Sequence, residues 1–309
     1  MIVDPGREDS QGDQSMKTGF IGLGIMGKPM SKNLLKAGYQ LVVFDANAAP
    51  MKELAAAGAE TAASPKEVAE KCDVVVTMLP NSPHVRAVLL GPQGVIEGAG
   101  PGKTVIDMSS IAPLASREIA SLLLEKGVEM LDAPVSGGEP KAIDGTLSVM
   151  VGGKKDVFEK CYPVMKAMAA SVVRVGDTGA GDVAKLANQI VVALNIAAMS
   201  EALVFAAKAG VQPELVYQAI RGGLAGSTVL DAKAPLVMDR KFSPGFRVNL
   251  HIKDLGNVLE TSREIGVPLP MTAAVMEMMQ AIKVDGLGDA DHCSLVRHYE
   301  KMAHIEVKR

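Results

Sequence analysis

The chain has 309 residues, enough for two medium domains that each bury a core of their own. Its 32 basic and 35 acidic residues leave a formal net charge of -3, which excludes the electrostatic footprint of a nucleic-acid binder or of a protein held on an anionic membrane. Cys72, Cys161 and Cys293 have no close spacing and are odd in number, which argues against a disulfide framework or a zinc site and for a reducing, cytoplasmic setting.

Residues 1–15 are polar and acidic, without the charged-then-apolar order of a secretory signal, and read as a flexible extension before a structural start at Met16. Short β-branched runs follow at 17–21, 41–45, 74–78, 104–107, 130–133, 147–151 and 172–175. They alternate with helical patterns, the signature of parallel strands joined by crossover helices. Between them Ser64, Pro65 and Glu67 supply an N-cap, a first-turn proline and a capping-box acid, and Pro113 opens another helix. After Gly176 the strand pattern stops. The remainder reads as helices with Pro213, Pro235, Pro244, Pro268 and Pro270 near their ends. Lys185, Asn188, Gln189, Asn195, Ser200 and Glu201 interrupt the apolar stretch 183–210 too often for a membrane span, so it reads as a buried helix. Long helices such as 271–283 carry more apolar surface than a small helical unit hides, and a homo-oligomer, dimer or tetramer, is expected.

The first strand runs into Gly22-Leu23-Gly24-Ile25-Met26-Gly27 and then a helix, the context that gives G-x-G-x-x-G its meaning. Gly22 permits a tight turn, Gly24 lets the backbone approach a pyrophosphate, and Gly27 allows close helix-to-strand packing, with the phosphate on the helix N-terminus. The second strand ends in Asp45, where a carboxylate accepts hydrogen bonds from an adenosine ribose and repels a 2′-phosphate. Ala46 follows in place of a phosphate-pairing arginine, so NAD is expected over NADP. Gly102-Lys103-Thr104 mimics the end of a phosphate loop, but Glu97 stands where the first glycine belongs, and the segment reads as a turn into a strand.

In Asp132-Ala133-Pro134-Val135-Ser136-Gly137-Gly138, a hydroxyl and two glycines let backbone N–H groups converge on a substrate carboxylate, although a plain turn uses the same residues. The helix beginning near Gly179 sets Lys185, Asn188 and Gln189 on one face by spacings of three and four, which points to a pocket or, for the lysine, to a solvent-directed side chain. In a pocket Lys185 hydrogen-bonds a carbonyl oxygen and delivers its proton as hydride arrives from a nicotinamide, while Asn188 orients the substrate or the lysine. An ordinary lysine is protonated at neutral pH, so reduction is the easier direction. His251-Ile252-Lys253-Asp254 brings a second cation, directed at cofactor or substrate, or paired at the surface. His84, His251, His292, His298 and His304 show no metal-ligand spacing, and no metal is expected.

Together these residues resemble the β-hydroxyacid dehydrogenase family, relatives of 3-hydroxyisobutyrate and 6-phosphogluconate dehydrogenases, over 16–309. Residues 20–30 are similar to its cofactor motif, 132–138 to its substrate motif, 181–189 to its catalytic motif with Lys185 as the acid, and Lys253-Asp254 to its late cofactor motif. The resemblance implies an α/β chain: an N-terminal Rossmann-type parallel-sheet domain binding NAD over 16–178, then an all-helical domain for substrate and oligomerisation over 179–309, joined by a long helix. It implies that Leu23, Ile25, Met26, Met78, Leu79, Pro80, Ser110 and Lys253 line the dinucleotide, and that Ser136, Gly137, Gly138, Asn188 and Gln189 meet the substrate. Gln189 stands where asparagine is commoner and Ser110 where threonine is frequent. Residues 136–146 and 222–227 are most similar to family members that reduce a hydroxylated three-carbon semialdehyde to glycerate. The expected substrate is a small carboxylated aldehyde. The alternatives are 3-hydroxyisobutyrate, succinic semialdehyde or glyoxylate on the same machinery, or a catalytically silent dinucleotide-binding scaffold.

Overall fold

The computed structural model describes residues 16–309, so the stretch 1–15 read as an extension lies outside the described residues. The chain divides into two compact units after Lys185. Among the described residues the first holds nine strands: β1 (Thr18–Ile21), β2 (Leu41–Phe44), β3 (Glu60–Thr61), β4 (Val74–Thr77), β5 (Thr104–Asp107), β6 (Glu129–Asp132), β7 (Val135–Ser136), β8 (Leu147–Gly152) and β9 (Ala169–Gly176). Among them lie α1 (Gly27–Lys36), α2 (Ala48–Ala56), α3 (Pro65–Lys71), α4 (Ser82–Leu90), α5 (Val95–Gly98), α6 (Pro113–Leu124), α7 (Gly138–Asp144) and α8 (Lys155–Lys166).

The sheet order is β3-β2-β1-β4-β5-β6-β8-β7, with β9 against β8. From β3 to β6 every pairing is parallel, as the alternating pattern predicts. At the far edge that expectation is corrected, because β8 runs antiparallel to β6 and to β7. A parallel return needs a crossover of about a dozen residues or more, and the seven-residue α7 between β7 and β8 is too short to make one.

Alternate side chains of the central strands feed two cores. Phe20, Val43, Val76, Ile106 and Leu131 pack with Met30 and Leu34 of α1 and with Val164 and Met165 of α8. Ile21, Val42, Val75, Val105 and Met130 face the other way, onto Val68 of α3, Leu89 of α4 and Ile119 and Leu123 of α6. Burial on both faces is why each of these strands carries apolar residues at consecutive positions, as in Leu41–Phe44 and Val74–Val76, and each fully buried aliphatic side chain contributes about 1.5–3 kcal/mol.

Helix α3 shows how local chemistry sets the boundaries. The Ser64 hydroxyl accepts from the Glu67 N–H at 3.1 Å, and the Glu67 carboxylate reaches back to the Ala63 N–H at 2.7 Å. At its other end the Lys103 ammonium donates to the carbonyls of Ala69, Glu70 and Cys72. The lysine that mimics a phosphate loop is thus a cation on the C-terminal carbonyls of a helix, and Gly102 takes φ 87° to turn the chain into β5.

In the second unit, Leu186–Arg309, the long helix α9 (Ala180–Lys208) continues from the first and is followed by α10 (Pro213–Ile220), α11 (Thr228–Met238), α12 (Val248–Glu264), α13 (Pro270–Ile282) and α14 (Val296–Ala303). Pro213 and Pro270 open their helices, whereas Pro235 lies inside the last turn of α11. Ile196, Leu203, Ala234, Val237, Leu255, Met279 and Leu295 belong to the core. By length and composition α9 is long and apolar enough to cross a membrane. The expected burial holds for part of its surface: Ala193, Ile196 and Leu203 are buried, while Val191 is exposed and Phe205 is 75% exposed.

Cys72, Cys161 and Cys293 are all free and buried. Burial pushes the Cys72 thiol up to about 12 and the Cys161 thiol up to about 11, and raises Cys293 as well.

Candidate active site

The parallel strands bring their carboxyl ends to one edge of the sheet. The turn 22–27 follows β1, Asp45 follows β2, Met78, Leu79 and Pro80 follow β4, Ser110 follows β5 and the loop to Gly138 follows β6. The strand order turns back between β1 and β4, where an open α/β sheet forms a ligand crevice. The ladder continues past the strand ends there, with the Met78 N–H on the Ile21 carbonyl at 2.9 Å and the Gly22 N–H on the Phe44 carbonyl at 3.0 Å.

The three glycines of the turn have different causes. Gly22 takes φ 95°, and a Cβ on it would collide with the Met78 carbonyl. A Cβ on Gly27 would collide with the Gly22 carbonyl. Both are required by packing within the protein. Around Gly24, by contrast, no atom of the described residues beyond its chain neighbours lies within 4 Å of the place a Cβ would occupy. The space left open there adjoins the start of α1, whose N–H groups favour an anion. Gly24 also borders a cavity of about 640 Å³ lined by Leu23, Ile25, Lys28, Asn47 and their neighbours.

Asp45 is held beside the turn, its two oxygens accepting from the N–H groups of Leu23 at 2.6 Å and Asn47 at 2.7 Å. A carboxylate offers about four lone-pair sites, so a ribose hydroxyl still finds an acceptor. The open approach at Gly24, the helix start and the carboxylate together fit a dinucleotide.

Behind this edge lies a polar cluster that sequence reasoning missed. Asp107 Oδ1 accepts from the hydroxyls of Thr77 at 2.7 Å and Ser109 at 2.5 Å and from the Ser109 N–H at 3.2 Å. The Ser109 oxygen accepts from the Leu79 N–H at 2.9 Å, so Ser109 ties the loop after β4 to the end of β5. Ser109 is buried and its neighbour Ser110, the expected lining residue, is half-buried. Two consecutive serines do not reveal which one turns inward.

Burial pushes the Asp107 carboxyl up to about 6. Its folded value lies above the ordinary 3.8, so the folded state holds this proton longer than the unfolded one. Asp107 therefore favours folding below pH 4 and loses that contribution, of order 3 kcal/mol, as pH rises from about 4 to 6. Asp107→Asn keeps an acceptor toward Thr77 and Ser109 but carries no charge. Urea unfolding is expected to show the variant gaining on the parent across that window and holding a constant advantage above pH 7. Stability curves that stay parallel from pH 4 to 8 would refute the assignment.

At the proposed substrate loop, Ser136 sits opposite Ser148 in the β7–β8 pairing, and Gly137 and Gly138 take φ of 140° and 69°, conformations that favour glycine. Asp132 heads this loop and is 1% exposed. Its oxygens accept from the N–H groups of Gly179 at 2.7 Å and Asp182 at 3.0 Å, partners 47 and 50 residues away that no local motif announces. Asp182, also buried, is hydrogen-bonded to the Ser116 hydroxyl. Burial raises the Asp182 carboxyl well above its usual range, with the Asp132 charge adding to the effect. Lys185 lies on the next turn of α9 and is 7% exposed.

In the second unit, the Asn188 amide donates to Gln189 Oε1 at 2.8 Å, and Gln189 Nε2 donates to Asp254 Oδ2 at 2.5 Å. The Lys253 ammonium lies 2.7 Å from Asp254 Oδ1, and with the Asp254 side chain only 3% exposed this is not the surface pair that the sequence offered as the alternative. Asn188, Gln189 and Lys253, singled out separately, are thus joined through Asp254, and the amide of Gln189 is engaged on both sides. Below them the buried rings of His251 and His292 share an Nδ1–Nδ1 hydrogen bond of 3.0 Å, and His251 Nε2 lies 3.4 Å from the Gln189 carbonyl. Burial first, then the neighbouring His251, hold His292 well below the usual histidine range, which suits a neutral pair with one donor and one acceptor.

Residues 17–176 match the family described as the NAD binding domain of 6-phosphogluconate dehydrogenase. Residues 179–299 match the one described as NAD-binding of NADP-dependent 3-hydroxyisobutyrate dehydrogenase. The chain is 44% identical to the 2-hydroxy-3-oxopropionate reductase of Escherichia coli (strain K12), over 94% of this chain and 99% of that protein. It is 40% identical to the 2-(hydroxymethyl)glutarate dehydrogenase of Eubacterium barkeri, over 96% and 98% of the respective chains. The solved structure of Mycobacterium tuberculosis 3-hydroxyisobutyrate dehydrogenase with L-serine is similar with a TM-score of 0.86 at 32% identity, covering 92% of this chain and 99% of that one.

Proposed function

Because the chain belongs to the β-hydroxyacid dehydrogenase family of NAD(P)-dependent oxidoreductases, we propose that it reduces tartronate semialdehyde (2-hydroxy-3-oxopropanoate) to D-glycerate with NADH. The substrate choice is carried by the 44% identity to a 2-hydroxy-3-oxopropionate reductase along nearly its whole length.

A bound nicotinamide cofactor supplies the hydride. The turn 22–27 and the start of α1 receive its pyrophosphate, Asp45 takes the ribose hydroxyls and opposes a 2′-phosphate, and Met78, Leu79, Pro80 and Ser110 flank it. The Ser136 hydroxyl and the N–H groups of Gly137 and Gly138 hold the substrate carboxylate. Lys185 gives its proton to the aldehyde oxygen as the alcohol forms. Asn188 and Gln189 are assigned to the substrate and Lys253 to the cofactor. Residues 16–178 form the NAD-binding domain, which also supplies the 136–138 loop to the substrate, and 179–309 the domain for substrate and self-association, to which the exposed Val191, Phe205 and Met271 bring apolar surface. Three buried free thiols suit the cytoplasm.

The test is a panel of tartronate semialdehyde, succinic semialdehyde, glyoxylate and methylmalonate semialdehyde for reduction, with L-serine and 3-hydroxyisobutyrate for oxidation, each with both nicotinamide cofactors. Tartronate semialdehyde with NADH is expected to give the highest kcat/KM, by at least about tenfold over any other carboxylated aldehyde and over NADPH. A better substrate in the panel overturns the substrate, an NADPH preference overturns the role of Asp45, and no hydride transfer at all leaves the silent scaffold.

A further inference from the structure

We propose that Asp132 is a positioning residue for this reaction: its carboxylate ties the head of the substrate loop to the first turn of α9 and thereby sets where Lys185 stands. The inference rests on Lys185 being the proton donor.

Asp132 ends β6, and the loop carrying Ser136, Gly137 and Gly138 leaves directly from it. One carboxylate oxygen holds the Gly179 N–H at 2.7 Å and the other the Asp182 N–H at 3.0 Å, one on each side of the start of α9 at Ala180. A carboxylate in this place satisfies N–H groups that a helix leaves unpaired in its first turn and meets the positive end of its dipole. Lys185 follows Asp182 by three residues, less than one helical turn, so it moves with whatever moves that turn.

The tie has no slack. A Cβ on Gly152, at the end of β8, would sit 2.5 and 2.7 Å from the two Asp132 oxygens. A Cβ on Gly181 would collide with the carbonyls of Asp132 and Met150 and come within 2.8 Å of the Gly152 nitrogen. Three backbone segments therefore meet around one side chain at a distance only glycine allows. From the neighbouring α6, Ser116 bonds Asp182, and Arg117 Nε donates to the Thr178 carbonyl at 3.3 Å. These contacts brace the turn before α9 from outside, while Asp132 links it to the substrate loop. A proton donor misplaced by about 1 Å costs on the order of a hundredfold in rate, which is the scale at which such a tie matters.

Two variants disturb the tie by different means. Asp132→Asn sets an amide donor against one of the two backbone N–H groups, and Gly181→Ala crowds the same junction without changing Asp132. In each, kcat is expected to fall by about 30- to 100-fold, while KM and the NADH dissociation constant stay within about threefold, and the double variant is expected to be no worse than the poorer single one. Lysine labelling with pyridoxal phosphate and borohydride, mapped by mass spectrometry, needs no substrate. It is expected to rise at least threefold at Lys185 in both variants and to stay level at Lys17 and Lys126. Unchanged kcat and unchanged labelling at Lys185 overturn the proposal. So does a variant pair that loses both the parent circular dichroism and NADH binding, since Asp132 then serves folding. If the parent reduces none of the carboxylated aldehydes, the proposed function fails, while the labelling comparison still decides the role of Asp132.

Discussion

Lys185→Ala is expected to lower kcat for semialdehyde reduction by about a thousandfold while the NADH dissociation constant stays within about threefold of the parent. A positioned general acid typically contributes between a hundredfold and ten-thousandfold, and this lysine is 7% exposed on a helix whose start is held by Asp132 and braced by Ser116 and Arg117. In the proposed reaction its contact with the aldehyde oxygen strengthens as negative charge develops there, so its removal is expected to lower kcat and kcat/KM together instead of raising KM alone. Lys185→Arg is expected to recover little, because a guanidinium keeps the charge but does not release its proton at neutral pH. Single-turnover measurement with saturating NADH isolates the chemical step. More than a tenth of parental turnover in Lys185→Ala would remove this residue from its role.

Gly24→Ala is expected to raise the NADH dissociation constant by about a hundredfold and to leave the melting temperature of the free protein within about 2 °C. The reason is the open space around the Gly24 Cβ position: among the described residues no atom beyond its chain neighbours lies near it, and the residue has no left-handed φ that an alanine would resist. A methyl group there meets only what binds. Gly27→Ala is the internal control, since its Cβ would collide with the Gly22 carbonyl, so it is expected to lose thermal stability before any cofactor is added. Fluorescence titration with NADH and thermal scans of the two free variants separate the cases. Normal NADH affinity in Gly24→Ala would place the cofactor elsewhere.

How far the sequence led depends on how local each cause is. β1, β2, β4, β5 and β6 were legible because burial on both faces puts at least two apolar residues side by side in each, whereas β3 (Glu60–Thr61) is two polar, exposed residues that become a strand only by pairing with β2. The antiparallel β7–β8 pairing was illegible because two residues of strand carry no periodicity. The glycine turn was found through its spacing, but the spacing gives all three glycines a similar weight. Only the packed structure separates Gly22 and Gly27, required by the protein, from Gly24, which is not. At Lys103 the sequence sufficed to dismiss a phosphate loop, since Glu97 stands where the first glycine belongs, but not to show that the ammonium meets the carbonyls ending α3. Asp132 escaped attention as a site residue because its partners Gly179 and Asp182 come from a distant segment, and Asp107 because Thr77, which meets it beside the adjacent Ser109, comes from another strand. A buried carboxylate leaves no mark in sequence beyond its own letter.

The cysteines have a practical use. Cys72 and Cys161 lie in the first unit and Cys293 in the second, all shielded and with thiols raised by burial. An alkylating reagent reaches such a sulfur only when the structure around it opens, so the modification half-time of each cysteine measures how often its surroundings come apart. The molecule thereby carries two unfolding clocks of its own. Running them with and without NADH reports which unit the cofactor steadies, without any introduced label.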